Sequence, residues 1–221
     1  MQVIIFMLFL LQSPDNLGHI PSVSPEMALL GAPQWEEYIC CSQPFVYENL
    51  ANGLGFSSPN SWMIADDFNS ALYSGYIDMI EVWAIYSSSN CTGFSIQIRH
   101  DTGAGPGSIF GSTTSASVSH TNTGFTNWGY PLWHTEIEPI QSLYFADEKY
   151  WLALQTTGGA GAHYWLCANQ SWADMTYFSA NNGNSWSSSQ TEWGAPYEQF
   201  MILSADVALE RDSWGGIKAL F

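Results

Sequence analysis

Positive charge is nearly missing from this sequence. Four Lys and Arg residues stand against 20 Asp and Glu in 221 residues, a formal charge of −16. A surface of that sign repels nucleic acid and anionic membrane, so polyanionic partners are excluded on electrostatic grounds. Charge of either sign is scarce at 11% of residues, and Ser, Thr, Asn and Gly carry the polarity instead. Cysteine is scarce too, and the four present show no C-x-x-C spacing, which argues against zinc and thioredoxin-like chemistry. No G-x-S-x-G elbow, H-E-x-x-H motif or G-x-x-x-x-G-K-[ST] loop occurs, so the common hydrolase and nucleotide signatures are missing and no catalytic role is expected. No apolar run reaches the roughly 20 residues of a membrane-spanning helix.

What is present belongs to a folded domain. Apolar residues make up 46% of the chain and aromatic residues 15%, with 19 Gly, which excludes disorder and a coiled coil. A chain of this length suffices for one all-β domain with appendages. The apolar run Val3–Leu11 has the length of a signal-peptide core, so residues 1–12 are expected to direct export to the cell surface or beyond, with no membrane span in the mature chain. Acidity suits solubility in that setting. Residues 13–44, punctuated by Pro14, Pro21, Pro25 and Pro33, show no sustained periodicity and are expected to form a leader or linker. Cys40 and Cys41 are adjacent there and would bond each other only with strain, so a disulfide involving Cys91 or Cys167 is expected in the exported protein.

Residues 61–100 set the pattern for the rest. Phe94, Ile96 and Ile98 alternate with Ser95, Gln97 and Arg99, the period of a half-buried strand. Ile80, Val82, Ala84 and Tyr86 alternate against Glu81, Trp83 and Ile85, and bulky groups on both faces mark a central strand. Further strands are read at Trp62–Phe68, Ile109–Ser119, Tyr130–Ile140, Tyr150–Thr156, His163–Ala168, Met175–Ala180 and Glu198–Ala205, with Gly-rich turns at 101–107, 158–161 and 181–184. The Ser/Thr-rich run 109–119 reads as a strand near an edge. The expected fold is an all-β antiparallel sandwich, jelly-roll-like, over residues 45–205, with less than about a tenth helix and a short tail at 206–221.

Several segments carry a resemblance. Phe45–Asn49, Ile64-Ala65-Asp66-Asp67-Phe68, Ile80-Glu81-Val82-Trp83, Phe94–Ile98 with Gly105-Pro106-Gly107, and Lys149–Leu154 are similar to a β-sandwich module of the "ADDF … WG.Y … G.PG … G.YWL" type found in secreted, often multidomain bacterial surface proteins. The resemblance spans roughly residues 45–205 and implies a surface or binding role. Glu48, Ala51 and Ala84 depart from its usual pattern. The tail Ser213–Phe221 resembles C-terminal ends of secreted proteins of uncultured bacteria.

Among polar constellations, His134, Glu136 and Glu138 share one face of a strand, which reads as the water face of an edge strand burying Trp133 and Ile137, with a divalent-cation ladder as the sharper alternative. Asp66 and Asp67 point to opposite sides of a strand and so form no carboxylate pair, but either can contribute to a structural Ca²⁺ site. Asp101 offers a ligand too, or simply starts a turn. The aromatic excess says more. There are 11 Trp and 11 Tyr, and Trp128, Tyr130, Trp172, Trp186 and Trp193 sit in polar, turn-like sequence where a ring stacks on the apolar face of a pyranose while amides and carboxylates bond its hydroxyls. These five are the candidate ligand-binding residues. The expected function is a non-catalytic extracellular binding or adhesion module for a polysaccharide or glycan. A spacer domain of a surface protein, or a secreted hydrolase, is the alternative.

Overall fold

A computed structural model of the chain describes residues 35–69, 74–168 and 175–208. The signal-like segment 1–12, most of the leader, Trp172 and the tail beyond 208 lie outside the described residues. Period-two alternation becomes strand almost throughout, giving 64% strand and 7% helix among the described residues. In chain order the strands are β1 (Trp35–Gln43), β2 (Leu50–Gly55), β3 (Met63–Asn69), β4 (Gly75–Tyr86), β5 (Gly93–Asp101), β6 (Pro106–Asn127) and β7 (Tyr130–Pro139). There follow β8 (Leu143–Phe145), β9 (Lys149–Thr157), β10 (His163–Ala168), β11 (Tyr177–Ser179), β12 (Ser187–Ser188), the short helix α1 (Ser189–Trp193), β13 (Glu198–Gln199) and β14 (Met201–Ala208).

These strands form one curled antiparallel sheet in the order β1-β14-β4-β7-β6-β5-β9-β3-β11-β12, with β10 joined to β4, β2 and β13, and β8 joined to β4. β6 makes the sheet continuous. Its first part pairs with β5, from Ser95 opposite Thr114 to Asp101 opposite Pro106, and its second pairs with β7, from Ser115 opposite Pro139 to Asn127 opposite Tyr130. Register shifts near Ser115–Ser117 let it change partners, since a bulge bends and twists a strand locally. No residue of β6 is paired on both sides in these two ladders, so the Ser/Thr-rich run expected near an edge does have one open side, and its polar side chains are tolerated because much of β6 is solvent-exposed. β7, by contrast, is no edge strand, lying between β4 and β6. Trp35–Gln43, expected in the linker, pairs with β14 along its length.

Residues from both parts of the sheet meet in one core, with Ile77, Ile80, Val82, Trp165, Met201 and Leu203 from one and Ile64, Phe68, Phe94, Ile96, Leu152 and Leu154 from the other. Burying side chains of this kind contributes about 1.5–3 kcal/mol each before entropy is counted. Cys91 and Cys167 belong to this core, and both are free. The expected disulfide through either is thus corrected. Burial holds both thiols protonated, pushing Cys91 up to about 11 and, with the Asp66 charge nearby, raising Cys167 well above its ordinary value, so neither is a reactive thiolate. The side chains of Cys40 and Cys41 lie outside those described.

Two histidines adjoin the same interior, His163 buried and His120 half-buried. His120 Nε2 donates to the Cys91 carbonyl at 3.0 Å while its Nδ1 accepts from Thr135 Oγ1 at 3.0 Å. His163 repeats the arrangement, with Nε2 on the Ser89 carbonyl at 3.2 Å and Nδ1 on Thr156 Oγ1 at 2.7 Å. A carbonyl can only accept, so each ring carries a proton on Nε2, and burial, which lowers both pKa values, favours the neutral form. Tyr86 packs edge-on against both rings and bonds Thr135 at 2.8 Å.

Candidate functional site

The outer face of β2 and β10 is where the chain makes a groove. On β2, Leu54 points into the core, so Gly53 and Gly55 occupy the opposite face. Without side chains there, large rings from neighbouring elements lie directly against the strand. A Cβ at Gly55 would overlap the Trp62 ring, and one at Gly53 would sit 3.1 Å from Tyr164 Cβ. Tyr164 is opposite Gly55 in the β2–β10 ladder and alternates with the buried Trp165.

Two cavities meet over this glycine floor. One, of about 250 Å³, is lined by Asn52, Gly53, Ile85, Trp128, Tyr130 and Tyr164. The other, of about 360 Å³, is lined by Gly53, Gly55, Trp62, Tyr164, Phe178, Glu192 and Trp193 among others. Gly53 and Tyr164 belong to both, so the pair forms one run of rings. Phe178 packs edge-on against Trp193 at 5.2 Å and against Trp62 at 6.3 Å. Polar groups are few but placed at both ends, Asn52 in the first cavity and Glu192 in the second. α1 delivers Glu192 and Trp193, capped by Ser188, whose Oγ accepts from the Thr191 amide, and ended by Gly194 at φ 74°.

Trp128 is held in an unusual way. It and Gly129 are the two central residues of the β6–β7 hairpin, at φ 49° and 82°, between the paired Asn127 and Tyr130. Two positive φ values make a type I′ turn, whose first position favours Asn, Asp or Gly. A tryptophan there is backbone strain, and its ring is 53% exposed.

The five expected ligand-binding residues thus separate. Trp128, Tyr130 and Trp193 line the groove, exposed at 53%, 41% and 39%. Trp186 does not: it packs on the cluster of Met63, Ala65, Trp151 and Ala153, with the Arg99 guanidinium 5.1 Å above its ring. Its polar sequence context hid a partner from a distant strand. Trp62, Tyr164 and Phe178 line the groove without having been expected to. For Tyr164 the signal was the alternation in His163-Tyr164-Trp165-Leu166, which puts it on the face opposite Trp165.

The acidic candidates regroup as well. Asp66, Asp67 and Glu198 each place an oxygen within 4.8 Å of the others. Asp66 lies on the core face of β3 between Ile64 and Phe68, where its Oδ2 accepts from the Gln199 amide at 2.6 Å and its Oδ1 from Thr176 Oγ1 at 3.1 Å. Burial, and then the Glu198 and Asp67 charges, push the Asp66 carboxyl well above its ordinary value. Burial also raises Asp67, against the opposing pull of Lys149, whose Nζ lies 3.7 Å from Asp67 Oδ2. So the two neighbours do approach as carboxylates, contrary to the strand-face expectation. Asp101 is instead bonded by Trp151 Nε1 at 2.8 Å, beside a turn closed by Thr102 on the Gly105 carbonyl. On β7, the His134, Glu136 and Glu138 side chains are taken up by Glu81, Ser119 and Ser117.

No family model matches the chain, and no curated protein sequence is similar to it.

Proposed function

We propose that this is a non-catalytic extracellular carbohydrate-binding module, in which the run of rings from Trp128 and Tyr130 through Tyr164 to Trp62 and Trp193 grips an uncharged polysaccharide. The observation that carries the reading is Trp128, a large apolar ring kept exposed, at a backbone position that disfavours it, on the rim of a groove already lined by Tyr130 and Tyr164. Strain of this kind persists where it serves a site. Rings give stacking faces, Asn52 and Glu192 give hydrogen bonds, and the net charge disfavours anionic ligands. Each stacked ring contributes on the order of 1 kcal/mol, so one site binds weakly and the full surface acts through multivalency. The curled sheet is, on this reading, a jelly-roll-like sandwich of an exported surface protein, with the groove on its outer face.

The test is affinity electrophoresis and calorimetry against neutral plant, algal and bacterial polysaccharides. Trp128→Ala with Tyr130→Ala, and separately Gly53→Val, which fills the floor shared by both cavities, should each abolish binding while the unfolding midpoint stays near that of the parent. Binding to no polysaccharide in the set, or loss of fold in the Trp128/Tyr130 variant, overturns the reading in favour of a spacer domain.

A further inference from the structure

Three carboxylates converge where β3, β13 and Thr176 meet, away from the rings of the groove. Asp66 is fully buried, and Glu198 and Asp67 are nearly so, at 2% and 8% exposure. Carboxylates held this close in a low-dielectric setting repel one another unless protons or cations neutralise them, and the Lys149 ammonium, 3.7 Å from Asp67 Oδ2, supplies one positive charge against the three. A second observation points to a cation. The Gln199 side chain is folded onto the same group: its Nε2 donates to Thr176 Oγ1, the hydroxyl that donates to Asp66 Oδ1. Its carbonyl oxygen Oε1 is buried and has no hydrogen-bond partner, in a residue with no exposed surface. A buried acceptor left without a donor calls for an explanation, and a metal ion supplies it.

We propose that Asp66, Asp67 and Glu198, together with Gln199 Oε1, bind a divalent cation of the hard, oxygen-seeking class, calcium foremost. All four donors are oxygens, which suits calcium or magnesium rather than zinc or copper. Carboxylates that offer one or two oxygens apiece fit the six to eight that calcium takes better than the strict octahedron of magnesium. The hydrogen bonds from Gln199 N and Thr176 then act as an outer layer that fixes Asp66.

The site also has a structural reach. Thr176 and Glu198–Gln199 bracket the segment that carries Phe178, Glu192 and Trp193, one wall of the groove. A cation held by Asp66 and Glu198 ties the far end of that segment to β3.

The experiment uses the full chain, freed of metal with EDTA, and reads calcium binding by calorimetry and by thermal unfolding. Calcium should bind with a stoichiometry of one at this site and raise the unfolding midpoint progressively with concentration, as expected for a ligand that binds only the folded state. Magnesium at equal ionic strength should do markedly less. Glu198→Gln should lose the response, and Asp67→Asn, at the less buried position, should weaken calcium by an order of magnitude or more while remaining folded. No calcium heat and no midpoint shift in the parent overturns the proposal. So does calcium binding that survives Asp67→Asn and Glu198→Gln unchanged.

Discussion

Trp128 shows what one residue can trade. Its left-handed backbone suits Gly or Asn far better, so Trp128→Gly should leave the unfolding midpoint unchanged or raise it, by up to about 1 kcal/mol in stability, while glycan affinity falls. A midpoint that drops by several degrees would show that the ring packs rather than binds. Trp165 offers the contrast. It is fully buried and its Nε1 bonds the Phe200 carbonyl at 2.9 Å, so Trp165→Ala should cost about 3–5 kcal/mol. His120 and His163 set the acid limit. Burial lowers the pKa of both, so the unfolded chain binds protons that the folded one refuses. Their contribution to stability is complete above about pH 6.5 and is lost as pH falls from there toward the depressed folded values. Thermal midpoints should therefore decline below pH 6.5, and replacing both rings with Gln should flatten that decline. Asp66 has the opposite sign. Its raised pKa means that, without a cation, folding is penalised as pH rises from about 4 through the folded value.

Elements explain why some rings are in the groove and others are not. β2 contributes by what it omits, since Gly53 and Gly55 let Tyr164 and Trp62 lie against the strand. Gly55→Ala should displace Trp62 and weaken binding while leaving Leu54 in the core, a change readable as a shift in tryptophan fluorescence. β4 was legible from Ile80 to Tyr86 because both its faces carry bulky groups, and it does lie inside the sheet between β14 and β7, with Ile80, Val82 and Ala84 buried and Glu81 and Trp83 half-buried on the other face. β6 was legible as a strand near an edge from its Ser/Thr content, but its change of partner from β5 to β7 was not, because composition reports exposure and not pairing. β1 was hidden by the prolines before it and by its lack of a sustained pattern, and its place is set by a partner, β14, more than 150 residues away in sequence. The site divides the same way. The exposure of Trp128, Tyr130 and Trp193 was legible because turn-like sequence exposes a ring locally, whereas that of Trp186 was misjudged because Arg99, which covers it, lies on β5. Glu198 was missed because nothing near it in sequence marks the approach of β3.

At the scale of the whole molecule, a charge of −16 acts on stability and binding differently. Added salt screens self-repulsion and should raise the unfolding midpoint. Affinity for an uncharged glycan should stay flat over the same range, and a steep loss with salt would identify a charged ligand instead. Among the described residues no helix is long and apolar enough to cross a membrane. The position of β14 governs how the chain reaches this state. The last described strand lies between β1 and β4, two of the earliest. Loop-closure entropy must be met before such distant segments reward one another, which slows folding. A nascent chain therefore leaves the ribosome with its first strands waiting for a partner not yet made. Fragments ending before Met201 should stay unfolded and protease-sensitive, and restoring residues 201–208, as a peptide in trans, should recover structure in one cooperative step. The fold is committed only once residues 201–208 have been made, and until then the strands before them remain an open thread.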